Sequence, residues 1–184
     1  ESGQYVVNEL VRFVYEVGRT DSIIQTDGEP AIKKIAHDVI SKVNGNMSYR
    51  DTPKGMSQSQ GSVERYHQTL FGQCRAMILH IEQEYQISRI PLDSNLIPWI
   101  VRHSAWLLNG YLTHSDGLTS HQRRWSKTCQ GFLCEVGETI LFRVPPGTEI
   151  SDKKYETRFF PGIFLGRDPT NGSNLVGCNT GVFK

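Results

Sequence analysis

The spacing of apolar residues changes along this chain, and that change bounds the fold more tightly than any other feature of the sequence. Up to about residue 111, apolar side chains recur every three or four positions over long stretches; beyond about residue 115 they come in short runs cut by turn residues. Val6, Val7, Leu10, Val11, Val14 and Val17 predict an amphipathic helix over residues 4–17, closed by Gly18. The β-branched run Ser22-Ile23-Ile24-Gln25-Thr26, ending at Asp27-Gly28, predicts a buried strand followed by a sharp turn. Pro30 suits a first helical turn, and Ile32, Ile35, Ala36, Val39, Ile40 and Val43 continue a helix as far as Asn44-Gly45. Met47 to Arg50 reads as a further short strand, and residues 52–61 as a polar loop.

A long helix is expected from Ser62 to about Tyr85, with Val63, Tyr66, Leu70, Cys74, Met77, Ile78, Ile81 and Tyr85 on its apolar face. Another, well buried, follows Asp93-Ser94 and carries Trp99, Ile100, Trp106 and Leu107. After it, Thr139 to Val144 and Gly162 to Leu165 read as strands, separated by Pro145-Pro146-Gly147, with Asp168-Pro169-Thr170-Asn171-Gly172 following. Strand, helix and strand followed by a β-rich tail is an α/β fold joined to a small antiparallel barrel or sheet. The expected divisions are an α/β part over 1–115, a linker over 116–135 and a β module over 136–184.

Composition removes several classes of function. A chain of 184 residues, 38% hydrophobic and 21% charged, can bury a core. Its net charge of +1 lacks a polybasic signature, so any contact with nucleic acid must be local. The four cysteines, Cys74, Cys129, Cys134 and Cys178, form no Cys-x-x-Cys pair, and the stretch with His121, Cys129 and Cys134 lacks a fourth ligand at finger-like spacing. Free thiols in a reducing compartment are expected. No apolar run reaches the length of a membrane span, and the chain opens without a signal-peptide pattern.

Two carboxylates stand where chemistry is expected. Asp27 ends a strand, and Glu64 lies in the first turn of the long helix, just beyond the Ser/Gln/Gly-rich loop. Taken singly, an Asp before Gly is an ordinary turn residue, and a Glu in a helical first turn complements the macrodipole. Brought to one sheet edge, the pair would offer hard oxygen ligands suited to Mg²⁺ or Mn²⁺.

The joint pattern is more specific. Ile24-Gln25-Thr26-Asp27-Gly28-Glu29-Pro30, followed 37 positions after Asp27 by Glu64 within Ser57-Gln58-Ser59-Gln60-Gly61-Ser62-Val63-Glu64-Arg65-Tyr66-His67-Gln68-Thr69-Leu70, closely resembles the retroviral and retrotransposon integrase family. The resemblance covers roughly residues 1–115 and implies an RNase H-like fold, partial here. Asp27 and Glu64 would then be the last two members of an Asp-Asp-Glu triad, whose first Asp lies on a strand before the opening helix. Gly137-Glu138-Thr139 and Phe160-Pro161-Gly162-Ile163-Phe164-Leu165-Gly166 are similar to the β module that follows the core in copia-type elements. Gly28 departs from the pattern, standing where many relatives carry Asn.

What the resemblance implies is metal-dependent DNA 3′-end processing and strand transfer in the complete protein. Asp27 and Glu64 would be catalytic metal ligands of a two-metal Mg²⁺ or Mn²⁺ site, with this chain inactive by itself. Lys54, Gln60, Arg65, His67 and Gln68 are the matching candidates for contact with double-stranded DNA. Self-association into a homo-oligomer and a nuclear or intracellular location are implied by the family alone. Two other readings share these residues: a noncatalytic nucleic-acid-binding remnant, and an RNase H-like nuclease of another family, which would not predict the loop from Ser57 to Glu64.

Overall fold

The computed structural model describes residues 2–52, 60–130, 134–143, 158–168 and 171–184, and no side-chain placement is described for Ser2. The chain divides into two compact units, Glu1–Tyr66 and His67–Lys184. This division by packing falls inside the long helix, whereas the divisions at 115 and 136 mark changes of sequence pattern.

In the first unit the order is α1 (Ser2–Val17), β1 (Ile23–Thr26), α2 (Pro30–Lys42), β2 (Ser48–Asp51) and the start of α3 (Gly61–Glu84). β1 and β2 pair in parallel, with Ile23 opposite Ser48 and Thr26 opposite Asp51. A parallel pair needs a crossover, and α2 supplies it, giving a β-α-β unit. Val7 of α1 packs with Val39 and Val43, and Val11, Val14, Ile24, Ile35 and Met47 close around them. The expected apolar stripe of α1 is split in two. Val7, Val11 and Val14 turn inward, while Val6, Leu10, Phe13 and Val17 are exposed along an adjoining face. β1 corrects another expectation: it is half-buried, with Ile23 56% exposed, and is not the fully buried strand that its β-branched run predicts.

Among the described residues the second unit holds most of α3, then α4 (Leu96–Tyr111), α5 (Ser120–Trp125), and four strands, β3 (Thr139–Arg143), β4 (Phe159–Arg167), β5 (Asn174–Cys178) and β6 (Gly181–Phe183). The strands form one antiparallel sheet in the order β3-β4-β5-β6, and β4 packs on α4. Cys74 and Ile81 of α3, Ile100 of α4, Ile90 and Val136 make its core. A bulge between Phe164 and Gly166 shifts the β4–β5 register. At the bulge Gly166 has φ +124, and a Cβ there would stand 2.9 Å from His103 Nδ1, so only glycine lets strand and helix approach this closely.

α5 falls in the stretch expected to be a linker. Its cause is a capping box: Thr119 Oγ1 accepts from the Gln122 backbone N–H at 3.1 Å, and the Gln122 side chain accepts from the Thr119 N–H at 2.8 Å. Replacing Thr119 with Ala is expected to lower stability by about 1 kcal/mol. Urea denaturation followed through tryptophan emission checks this, because Trp125 ends the capped helix. An unchanged midpoint would show that the box is not holding the segment.

All four cysteines are free. Among the described residues no helix is long and apolar enough to cross a membrane.

Candidate metal and nucleic-acid site

The C-terminal edge of the β1–β2 pair positions the predicted residues of the first unit. Asp27 leaves β1 immediately after Thr26, and its Oδ1 accepts from the Glu29 backbone N–H at 3.2 Å, closing an Asx turn. Gly28 has φ +83, the left-handed conformation that this turn requires. Asp27 is exposed, so the remainder of its carboxylate faces solvent.

Beside it runs a polar network that sequence reasoning missed. Tyr49 Oη donates to Asp51 Oδ1 at 2.5 Å, and Lys33 Nζ lies 2.7 Å from Asp51 Oδ2. The single phenolic proton of Tyr49 is therefore committed, so the 2.8 Å contact with Thr26 Oγ1 has Thr26 as donor. Lys33, then Tyr49, hold the Asp51 carboxyl below its usual range, while the hydrogen bond to Asp51 raises Lys33. Tyr49 is raised by partial burial and by Asp51. Asp51 is thus an anion already matched to a cation, and a poor third ligand for a metal. The one signal available in sequence was its position, a carboxylate directly following the Ser48-Tyr49-Arg50 run.

A second chain of contacts reaches the start of α3. Arg50 donates to Gln25 Oε1 through Nε at 3.0 Å and Nη2 at 2.5 Å. Gln25 Nε2 donates to Thr52 Oγ1 at 3.1 Å, and Gln60 Nε2 donates to the same oxygen at 2.8 Å. The Thr52 backbone N–H donates to Thr26 O at 2.9 Å, so Thr52 sits against the residue that precedes Asp27. Glu64 lies four residues beyond Gln60, in the first turn of α3.

The predicted residues divide accordingly. Asp27, Gln60, Glu64 and Arg65 all belong to the first unit, and Gln60 is bonded to the sheet edge that carries Asp27. Glu64 is exposed, and no hydrogen bond or ion pair joins it to Asp27. The Arg65 guanidinium turns back along its own helix, donating from Nε to Gly61 O at 3.1 Å. His67 and Gln68 are exposed residues of the second unit, and the His67 ring lies 6.2 Å from that of Phe71. Lys54 lies outside the described residues. Among the described residues there is no cluster of three or more His, Cys, Asp or Glu side chains placed to hold a metal ion.

No family model matches this chain, and no curated protein matches it in sequence. Among solved structures, it is similar to a chain in the cryo-EM structure of the simian T-cell lymphotropic virus intasome in complex with PP2A regulatory subunit B56 gamma. That similarity has a TM-score of 0.46 and 16% identity and covers 99% of this chain. The chain spans 61% of the length of the one that it matches there. A likeness this distant carries neither a fold nor a function.

Proposed function

We propose that this chain is part of an integrase-type polynucleotidyl transferase of a retroelement, built on an RNase H-like fold and acting on double-stranded DNA. The reading rests on the run from Gln25 to Pro30 and the run from Ser57 to Leu70, which resemble integrase motifs. The observation that carries it is the bond between Gln60 and Thr52: it fastens the start of the Glu64 helix to the strand end from which Asp27 emerges.

Asp27 and Glu64 are the residues that would hold Mg²⁺ or Mn²⁺. Their chemistry fits, since both are exposed hard-oxygen donors, and Mg²⁺ is commonly held by one or two carboxylates with water and substrate phosphate completing its shell. Bound there, such ions would stabilise the attacking and leaving oxygens of a phosphodiester displacement. Arg65 would supply sequence-independent attraction to phosphate, and the family resemblance adds Lys54, His67 and Gln68 as contacts with DNA. Gln60 donates one amide N–H to Thr52, and its second N–H and its Oε1 would serve phosphate or base edges. Assembly as a homo-oligomer and action in the nucleus belong to the same proposal.

Mn²⁺ binding, read by the loss of the free-ion paramagnetic resonance signal, tests the assignment. Asp27→Asn and Glu64→Gln are each expected to weaken binding roughly 10- to 100-fold, with circular dichroism unchanged. Equal binding by both variants and the parent chain would remove these residues from any metal site. Retention of labelled duplex DNA without any dependence on Mn²⁺ would favour a binding-only remnant.

A further inference from the structure

Thr52 Oγ1 is the meeting point of two side-chain amides from separate parts of the first unit. Gln25 reaches it from β1 at 3.1 Å and Gln60 from the foot of α3 at 2.8 Å. The half-buried oxygen thereby uses both of its acceptor positions. Behind Gln25 stands the Arg50 guanidinium, two of whose nitrogens donate to Gln25 Oε1. A charged donor on the carbonyl side of an amide draws electron density from its nitrogen, so the Gln25 N–H becomes a stronger donor to Thr52. The backbone of Thr52 is fixed as well, through its bond to Thr26 O. Helix foot, strand end and strand β2 are thus joined at one hydroxyl.

We infer that Thr52, clasped by Gln25 and Gln60, is the positioning residue that sets the approach of Glu64 to Asp27. The inference rests on the reading of those two carboxylates as metal ligands. It assigns Gln60 a structural task beside the DNA contact expected from sequence. Thr52 touches neither ion nor substrate; it acts by fixing the helical turn from which Glu64 projects. Serine keeps the accepting oxygen and should preserve the clasp, whereas valine keeps the shape and removes it.

The test compares Thr52→Val, Thr52→Ser and Gln60→Ala in the full chain, by Mn²⁺ binding and by hydrogen exchange. Thr52→Val and Gln60→Ala are expected to bind Mn²⁺ about 10-fold more weakly and to exchange faster at amides 64–66, with α1 and α2 exchange unchanged. Thr52→Ser should match the parent chain in both measurements. If Asp27→Asn abolishes Mn²⁺ binding while Thr52→Val leaves binding and exchange as they were, the clasp is refuted and the metal reading stands. If the parent chain takes up no Mn²⁺ that depends on Asp27, the metal reading fails. Faster exchange in Thr52→Val would then show a purely structural clasp, and the positioning role would be overturned with the reading. Should Thr52→Val lose α1 and α2 protection too, Gln60→Ala alone decides, since it changes only one arm.

Discussion

Gly45→Ala is expected to destabilise the first unit by about 3 kcal/mol, near the upper end for overpacking by a single methyl. A Cβ at Gly45 would lie 2.1 Å from the Thr20 carbonyl oxygen and 2.9 Å from its carbonyl carbon. Both are backbone atoms, so no rotamer change relieves the clash. The turn after α1 and the turn after α2 would have to separate, and Val43, two residues away, belongs to the core with Val7 and Val39. The strand end carrying Asp27 depends on that core, because Ile24 of β1 packs against it. The three tryptophans, Trp99, Trp106 and Trp125, all lie in the second unit, so their emission follows that unit alone. Hydrogen exchange at α1 and α2 amides should therefore accelerate strongly in Gly45→Ala, while the tryptophan-monitored transition is read separately. Unchanged protection in α1 and α2 would mean that the two turns can part freely.

Gly45 also shows how much of this fold was legible in sequence. Asn44-Gly45 reads as a helix stop from local chemistry alone, and α2 does end there, at Lys42. That the glycine is needed for the close approach of Thr20 is a tertiary fact with no local signature. Elements with a strong period, α1 to α4 with β1 and β2, stand within a few residues of where apolar spacing puts them. The direction of each apolar face was less legible. α1 has apolar residues around much of its circumference, and spacing alone does not say whether Val7 or Leu10 faces the core. α5 was missed although Thr119 and Gln122 spell a capping box, because the segment is short and carries basic residues with no apolar stripe. In the candidate site, Asp27 and Glu64 stood out as carboxylates at element ends. Thr52 and Gln25 did not, since their roles come from hydrogen bonds to residues distant in sequence, 27 positions apart in the case of that pair.

Acid is expected to weaken the second unit in a window set by His103. Only 3% of this residue is exposed, it stacks on Trp106 at 5.5 Å and meets Phe164 edge-on at 5.7 Å. Its Nδ1 is buried and has no hydrogen-bond partner among the described residues. Burial, reinforced by the positive charge of Arg167, lowers the imidazole from 6.5 to about 4. The folded state therefore holds the ring neutral at pH values where the unfolded chain has already taken up a proton. Stability rises with pH wherever the unfolded state binds more protons, so this contribution is complete above about pH 6.5 and drains away as the pH falls toward 4. A depression of that size corresponds to about 3 kcal/mol. Asp116, held low by Arg123 and by the Leu118 backbone N–H, acts in the same direction, but its contribution is lost only below its ordinary value of 3.8. The interval from pH 6.5 to 4.5 is therefore where His103 acts. Urea midpoints from tryptophan emission should fall steadily across that interval. In His103→Leu, which has nothing to protonate there, the decline should flatten. An equally steep decline in the leucine variant would place the acid sensitivity elsewhere.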